Sequence, residues 1–174
     1  MKFEIEGLEA FAKALDDAAN GGLMEEYALW LEAMGMEFLD LIQDEIIRTG
    51  TVDTRRLLNS FGKGTASSNM GGGSDHVWEM HEGGLSLLVG TNVNYAWYVN
   101  DGHYTNPKGV ERRWVPGYWK GDRFFYDSSA KTGMMLKQKW VEGTHYWDNA
   151  LAIFEKIFAK SLDRRLQEWM DKAF

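Results

Sequence analysis

Cysteine is absent from this chain of 174 residues. Its absence rules out disulfides, thiolate nucleophiles and cysteine-held zinc or iron–sulfur, and it fits a reducing compartment. Proline is almost absent: the two in the chain, Pro107 and Pro116, fall in one stretch. Long apolar runs are missing as well. None approaches the roughly 20 residues that span a bilayer. The opening MKFEIEGLEAFAK has neither a long apolar centre nor a small-residue cleavage site, so no secretory leader is read. Basic charge is in deficit, with 19 Lys and Arg against 26 Asp and Glu and a net charge of −7. An acidic chain is a poor candidate for gripping nucleic-acid phosphates.

The deficit is local. Residues 1–48 carry 12 acids and 3 bases, residues 49–128 balance at 8 and 8, and residues 129–174 carry 8 bases and 6 acids. A solvated acidic helix face accounts for this; a head-to-tail attraction between copies of the chain accounts for it equally well.

Aromatic residues are plentiful. They make up 14% of the chain, with 8 Trp, and hydrophobic residues make up 44%. That composition predicts a folded globular protein with a core of its own. It also leaves aromatics to spare for binding surfaces. A single domain over 1–174 is expected, with a helical part at 1–61, a β-rich part at 76–141 and a C-terminal helix at 146–173.

Residues 2–6 alternate as in a short strand. Leu8, Phe11 and Leu15 recur at helical spacing, predicting a helix over 7–19 that Asn20-Gly21-Gly22 stops. Tyr27, Leu31, Met34, Phe38, Leu41 or Ile42, and Ile46 predict a long helix over 23–48. Gly50 ends it, and Asp53 or Thr54 is the expected N-cap of a short helix through about Phe61. Asp53 reads as that cap and not as a catalytic acid, having no acid–base partner near it in sequence. Residues 62–75 form a Gly/Ser loop without the placement of a phosphate-binding loop.

HVWEMH (76–81) and LSLLVGT (85–91) form a hairpin around Glu82-Gly83-Gly84. The stretch VGTNVNYAWYVNDGH (89–103) then reads as strand end, elbow, one or two helical turns and a glycine stop. Residues 103–133 are the most irregular, a long aromatic-rich loop. Within it, Trp114-Val115 and Phe124 to Tyr126 suit the arms of a hairpin with Lys120-Gly121-Asp122 near its tip. Residues 134–141 are a last strand candidate, Glu142-Gly143-Thr144 is a turn, and Thr144 is placed to cap the helix after it. Trp147, Leu151, Phe154, Phe158, Leu162, Leu166 and Trp169 predict this second long helix over 146–173. The class is α+β, a small and mainly antiparallel sheet framed by two long helices.

No catalytic constellation emerges. On a strand, His76 and His81 point to opposite faces and cannot share a metal unaided. His103 and His145 sit in loops; hydrogen-bonded or surface histidines are the default reading, and a small metal-dependent hydrolase is the weakest alternative. No serine sits on a nucleophile elbow. No catalytic residue, cofactor or metal site is expected. Trp114, Tyr118, Trp119, Phe124, Phe125 and Tyr126 suit protein–protein anchors. Their flat rings would also suit a sugar, so a carbohydrate-binding or cell-wall-acting domain is the alternative.

Two segments carry a family resemblance. Val52, Asp53, Thr54, Leu57 and Ser60 match a motif close to Pro-Val-Asp-Thr-Gly-x-Leu-x-x-Ser, with Thr51 at the usual proline and Arg55 at the usual glycine. Val89, Gly90, Thr91, Asn92, Val93, Tyr95, Ala96, Tyr98, Val99 and Gly102 match Val-Gly-Thr-Asn-Val-x-Tyr-Ala-x-Tyr-Val-Glu-x-Gly, with Asn100 in place of the acid. In this order the motifs resemble the siphophage tail-completion or head–tail joining family, the lambda Z-like minor tail components. Trp140 to Trp147 resembles that family's entry into its last helix, and the loop 103–133 is longer than the family's pattern. The resemblance implies a non-enzymatic virion protein at the neck or tail, made in the bacterial host cytoplasm. It implies a ring of six copies that contacts a head-completion or stopper protein and a tail terminator or tail tube protein. DNA would pass through the lumen without specific binding, no membrane would be involved, and the acidic total suits a wall around a moving genome.

Overall fold

The computed structural model describes residues 13, 16, 22–52, 55–63 and 75–173. The strand expected at 2–6 and most of the Gly/Ser loop lie outside the described residues. So does the helix expected at 7–19, except Lys13 and Asp16, which are helical. The chain divides into two compact units. One comprises the residues up to Ala96 together with those from Tyr146 onward; the other is Trp97–His145.

The first unit is built on two long helices. Helix α1 spans Gly22–Arg48. Trp30, Met34, Phe38, Ile42 and Ile46 recur every four residues on its buried face, joined by Leu39. The helix stops where the sequence supplies a glycine. Gly50 is left-handed (φ +67°), its N–H bonds the Ile47 carbonyl at 3.0 Å, and the next N–H, of Thr51, bonds the Ile46 carbonyl at 3.1 Å. This pair of bonds satisfies helix-end carbonyls that would otherwise lack partners. Arg48 pairs with the buried Glu45 one turn earlier.

The last helix, Tyr146–Ala173, packs antiparallel to α1. Early residues of one meet late residues of the other: Trp30 stacks on Phe158 (5.0 Å between ring centres) and its indole N–H donates to Ser161 Oγ at 2.9 Å, while Phe38 meets Phe154 (4.7 Å) and Trp147 (5.2 Å). Truncating such a buried ring to alanine typically costs about 3–5 kcal/mol. Between these helices in sequence come the short helix α2 (Arg56–Ser60) and the hairpin β1 (His76–His81) and β2 (Ser86–Thr91), paired from His76↔Thr91 to His81↔Ser86. A single 3-10 turn, Glu82–Gly84, joins the strands at the expected place.

One expectation fails at α2. The helix starts at Arg56 and its N-cap is Arg55, without a side-chain cap bond, rather than Asp53 or Thr54. Those two residues lie outside the described ones. Arg55 sits at φ +62°, a left-handed conformation that costs a side-chain-bearing residue energy and a glycine none.

The second unit holds five strands and one short helix among the described residues. Helix α3 (Ala96–Asp101) leads into β3 (Gly102–Tyr104), and β7 (Trp140–Glu142) pairs with it antiparallel. Gly102 is required here: its φ is +86°, and a Cβ would lie 2.6 Å from the Val141 carbonyl oxygen. Between them run β4 (Arg112–Lys120), β5 (Arg123–Tyr126) and β6 (Gly133–Lys137), with β4 in the centre. The partner of β4 changes along its length. Arg112 to Pro116 pair with β6, and Gly117 to Lys120 pair with β5. Pro116, which has no N–H, stands at the changeover.

The α+β class therefore stands, with three small antiparallel sheets among the described residues. The segment 103–133, expected as an irregular loop with a hairpin inside it, has that hairpin and is about half strand. The strand expected over 134–141 is two, because Gln138 and Lys139 leave one ladder before Trp140 enters another. Thr144 is not spent on a cap: its hydroxyl and its N–H both donate to the Val99 carbonyl, at 3.2 and 2.9 Å.

The strain at Arg55 makes a direct prediction. Arg55→Gly relieves the left-handed penalty, partly offset by the greater freedom of glycine in the unfolded chain, so it should stabilise the protein by about 0.5–1 kcal/mol in urea or thermal unfolding. A destabilised variant would show that the Arg55 side chain makes up for its backbone.

Candidate protein–protein interface

The two sequence motifs meet in the first unit through a chain of hydroxyls. Val93 N–H donates to Thr91 Oγ1 (3.1 Å), Thr91 donates to Ser60 Oγ (2.7 Å), and Ser60 donates to the Leu57 carbonyl (2.7 Å). Ser60 and Leu57 belong to the first motif, Thr91 and Val93 to the second. Ser60, Leu57 and Val93 are buried and Thr91 is half-buried, so the links are partly shielded from water and strengthen one another. A second tie lies alongside. Arg56 grips both oxygens of Asp75 (2.8 and 2.9 Å), and the Asp75 carbonyl accepts from Asn92 N–H at 3.0 Å. The Arg56 guanidinium holds the Asp75 carboxyl below its ordinary value. Buried Tyr146 closes the group by donating from its hydroxyl to the Ala96 carbonyl at 3.3 Å.

Other motif residues are not packed this way. Val52, Asn92 and Tyr98 are exposed, and Tyr98 makes an edge contact with His103 (5.7 Å). Gly90 is buried in β2, and Tyr95 is half-buried.

The aromatic cluster lies in the second unit, and the strand period of two divides it. Tyr118 pairs with Phe125 and Trp114 with Met135, which puts these four on one side of the sheet. The Tyr118 and Phe125 rings stack at 5.8 Å. All four are between 37% and 55% exposed. Trp119, Phe124 and Tyr126 lie on the other side. Trp119 meets Phe124 edge-on at 5.4 Å, and Phe124 is half-buried with Val115, Met134 and Leu136. The six predicted contact residues thus form two surfaces, not one. The first surface carries a feature that residue-by-residue reading missed. Arg112↔Lys137 flank it at one end and Lys120↔Arg123 at the other, with Arg123 over the Phe125 ring at 5.6 Å. The alternation of β4, followed from Arg112 to Lys120, is the signal that would have revealed it.

No group of three or more His, Asp or Glu residues able to hold a metal ion occurs among the described residues. His103 contacts the Tyr98 carbonyl (3.2 Å), and His81 lies 3.3 Å from Glu79. Among the described residues no helix is long and apolar enough to cross a membrane. The first unit also has an open groove of about 310 Å³ lined by Tyr27, Leu31, Met34, Leu87, Phe154 and Phe158. Ser86 and the Tyr27 hydroxyl are the polar side-chain groups among this lining. Small-molecule sites add convergent polar groups to such an apolar lining, and this groove does not.

The motif junction can be tested in two ways. Ser60→Ala removes the nearer partner of the half-buried Thr91 hydroxyl, leaving it the longer bond to the Asp75 carbonyl (3.2 Å), and should cost about 1 kcal/mol, whereas Ser60→Ala with Thr91→Val should cost clearly less than the sum of the two single changes. Additive unfolding energies would show that the chain of hydroxyls is not one unit. Asp75 supplies a pH signature. Its folded-state pKa is lowered, so its stabilisation is present above its ordinary value of 3.8 and is lost as pH falls through the lower folded-state value. Asp75→Asn should lower the melting temperature at neutral pH, and the gap from the parent should close in strong acid; a gap that persists there would assign the loss to something other than the charge.

Comparison with known proteins bears on the same segments. Residues 9–102 match the family model described as "Bacteriophage HK97-gp10, putative tail-component". Two proteins of Bacillus subtilis (strain 168) align over nearly the whole chain. "Uncharacterized protein YqbI" is 57% identical, covering 98% of this chain and 99% of its own, and "Phage-like element PBSX protein XkdI" is 47% identical, covering 97% and 99%. No solved structure matches. The family match takes in both motifs and ends at Gly102, the first residue of β3, and on it the chain belongs to the HK97-gp10-like family of phage tail components.

Proposed function

We propose that the chain is a tail-completion or head–tail joining protein, a structural part of the virion that forms an oligomeric ring at the neck. The observation that carries this reading is the family match over 9–102, which spans both motifs of the lambda Z-like pattern. The structure supports it in two ways. The motif residues are used to join α2 to the β1–β2 hairpin, as expected of a scaffold. Large aromatics are exposed in a row on a rigid sheet, where a binding surface would hold them. Six copies, and contacts with a stopper protein on one side and a tail terminator or tube protein on the other, complete the proposal.

The exposed row Trp114, Tyr118 and Phe125 also favours a second reading, carbohydrate binding. Trp114→Ala would abolish glycan binding under that reading.

Deleting the gene should give filled heads and finished tails that fail to join, visible by negative-stain microscopy and rescued by the gene supplied in trans. Joined, infectious particles without the protein would overturn the neck assignment, and normal particles that no longer adsorb to cell wall would favour the glycan reading.

A further inference from the structure

Two exposed surfaces of this chain have opposite charge and a common apolar character. The first is the Trp114–Met135–Tyr118–Phe125 side of the β4 sheet. It has cations at both ends and no acid among its paired positions. The β4–β6 span holds six basic and two acidic residues, and both acids, Asp122 and Asp127, lie in turns. The second is the outward stripe of α1. Leu29, Ala33, Met36, Asp40, Asp44 and Ile47 follow one another at three and four, on the side of α1 opposite its buried residues. Leu29 is 68% exposed and Ile47 57%. Helix α1 carries seven acids against one base. Among the described residues, Glu37, Asp40 and Asp44 take part in no ion pair, and neither do Arg112, Lys120 and Lys137.

We infer that the aromatic and basic sheet face of one copy docks on the acidic and aliphatic stripe of α1 in a second copy. The inference rests on the reading of the chain as a self-assembling tail component. Charge selects the partner: a second sheet face would repel the first, and so would a second α1. Length agrees too. Nine residues of β4 extend roughly 30 Å, and α1 extends roughly 40 Å. Because the two surfaces differ, the contact is head-to-tail, the kind that closes a ring or extends a filament. The sheet face is about 10 Å wide, two strands at any point. One such strip is well below the roughly 800 Å² per partner of a stable complex. A single contact is therefore weak, and the copies hold together when several contacts close at once.

The chain has no cysteine, so one introduced cysteine per copy reports without ambiguity. Two populations, tagged differently and carrying Asp40→Cys or Lys120→Cys, are mixed and treated with a short bis-maleimide. This is done both in particles assembled in the host and in purified protein at high concentration. Mixed Asp40–Lys120 products should exceed like-with-like products by about fivefold, and salt should reduce the excess in purified protein. Lys120→Glu with Lys137→Glu should lower the copies per particle about tenfold, and adding Asp40→Lys with Asp44→Lys to that chain should restore them. A misfolded variant would show no such rescue. Predominant like-with-like products, capture of a different tail polypeptide at either cysteine, or no product in either sample would overturn the interface. Absence of the parent protein from particles overturns the tail-component reading instead, and the purified sample then decides the interface alone.

Discussion

The structure depends on the chain returning to its own beginning. Trp30 on α1 and Ser161 on the last helix are 131 residues apart and joined by a hydrogen bond within an aromatic seam. Closing so long a loop costs entropy that grows only slowly with length, and the seam offsets it with packed rings: buried Trp30 and Phe38 from α1, and half-buried Phe154, Phe158 and Trp147 opposite them. The junction of Tyr146 with Ala96 depends on it in turn. Both ends of the segment 97–145 are fixed in the first unit by that bond, and within the second unit the Thr144 and His145 N–H groups donate to the Val99 and Asn100 carbonyls. A segment pinned at both ends can be elaborated between them without disturbing the seam. The family match ends at Gly102, where this elaboration begins.

Long periodic elements were legible in the sequence because many residues vote for them. The two long helices, the 76–91 hairpin with its turn, and the tip at Gly121-Asp122 all fall where pattern placed them. What failed was decided by few residues. Asp53 and Thr54 looked like caps by chemistry, but α2 begins one or two residues later, with Arg55 in a conformation its side chain disfavours. The usual glycine at that place in the motif was the clue: it marks the backbone, which composition does not. Within 103–133 the hairpin arms at Trp114-Val115 and Phe124 to Tyr126 were legible, but the full length of β4 was masked by Pro116 and Gly117, which read as loop. Proline is tolerated in β4 because the strand changes partners there.

The candidate interface shows the same division. Residue identity was readable: Trp114, Tyr118 and Phe125 are exposed as anchors should be. Their grouping was not, since faces are set by register, and register joins residues such as Trp114 and Met135 that are far apart in sequence. Charge was likewise readable in amount and misleading in place. The sequence suggested an acidic beginning and a mildly basic end. In the structure the opposition is sharper between elements: α1 with seven acids and one base, and the β4–β6 span with six bases and two acids.

That segregation bears on how a tail component could stay apart in the cell and yet assemble. A strip of aromatics buried against another surface in the same chain would be stable and inert. Left exposed between four cations, the strip sets each ring beside a charge that keeps its surroundings hydrated. It also discriminates, because an apolar partner without acids takes those cations out of water without compensating charge. Screening shortens the reach of the attraction to about 8 Å at physiological salt, so two free copies gain little at a distance and commit only on contact. A surface of this kind favours the partner that brings both apolar area and negative charge at the right spacing, and the outward stripe of α1 brings both.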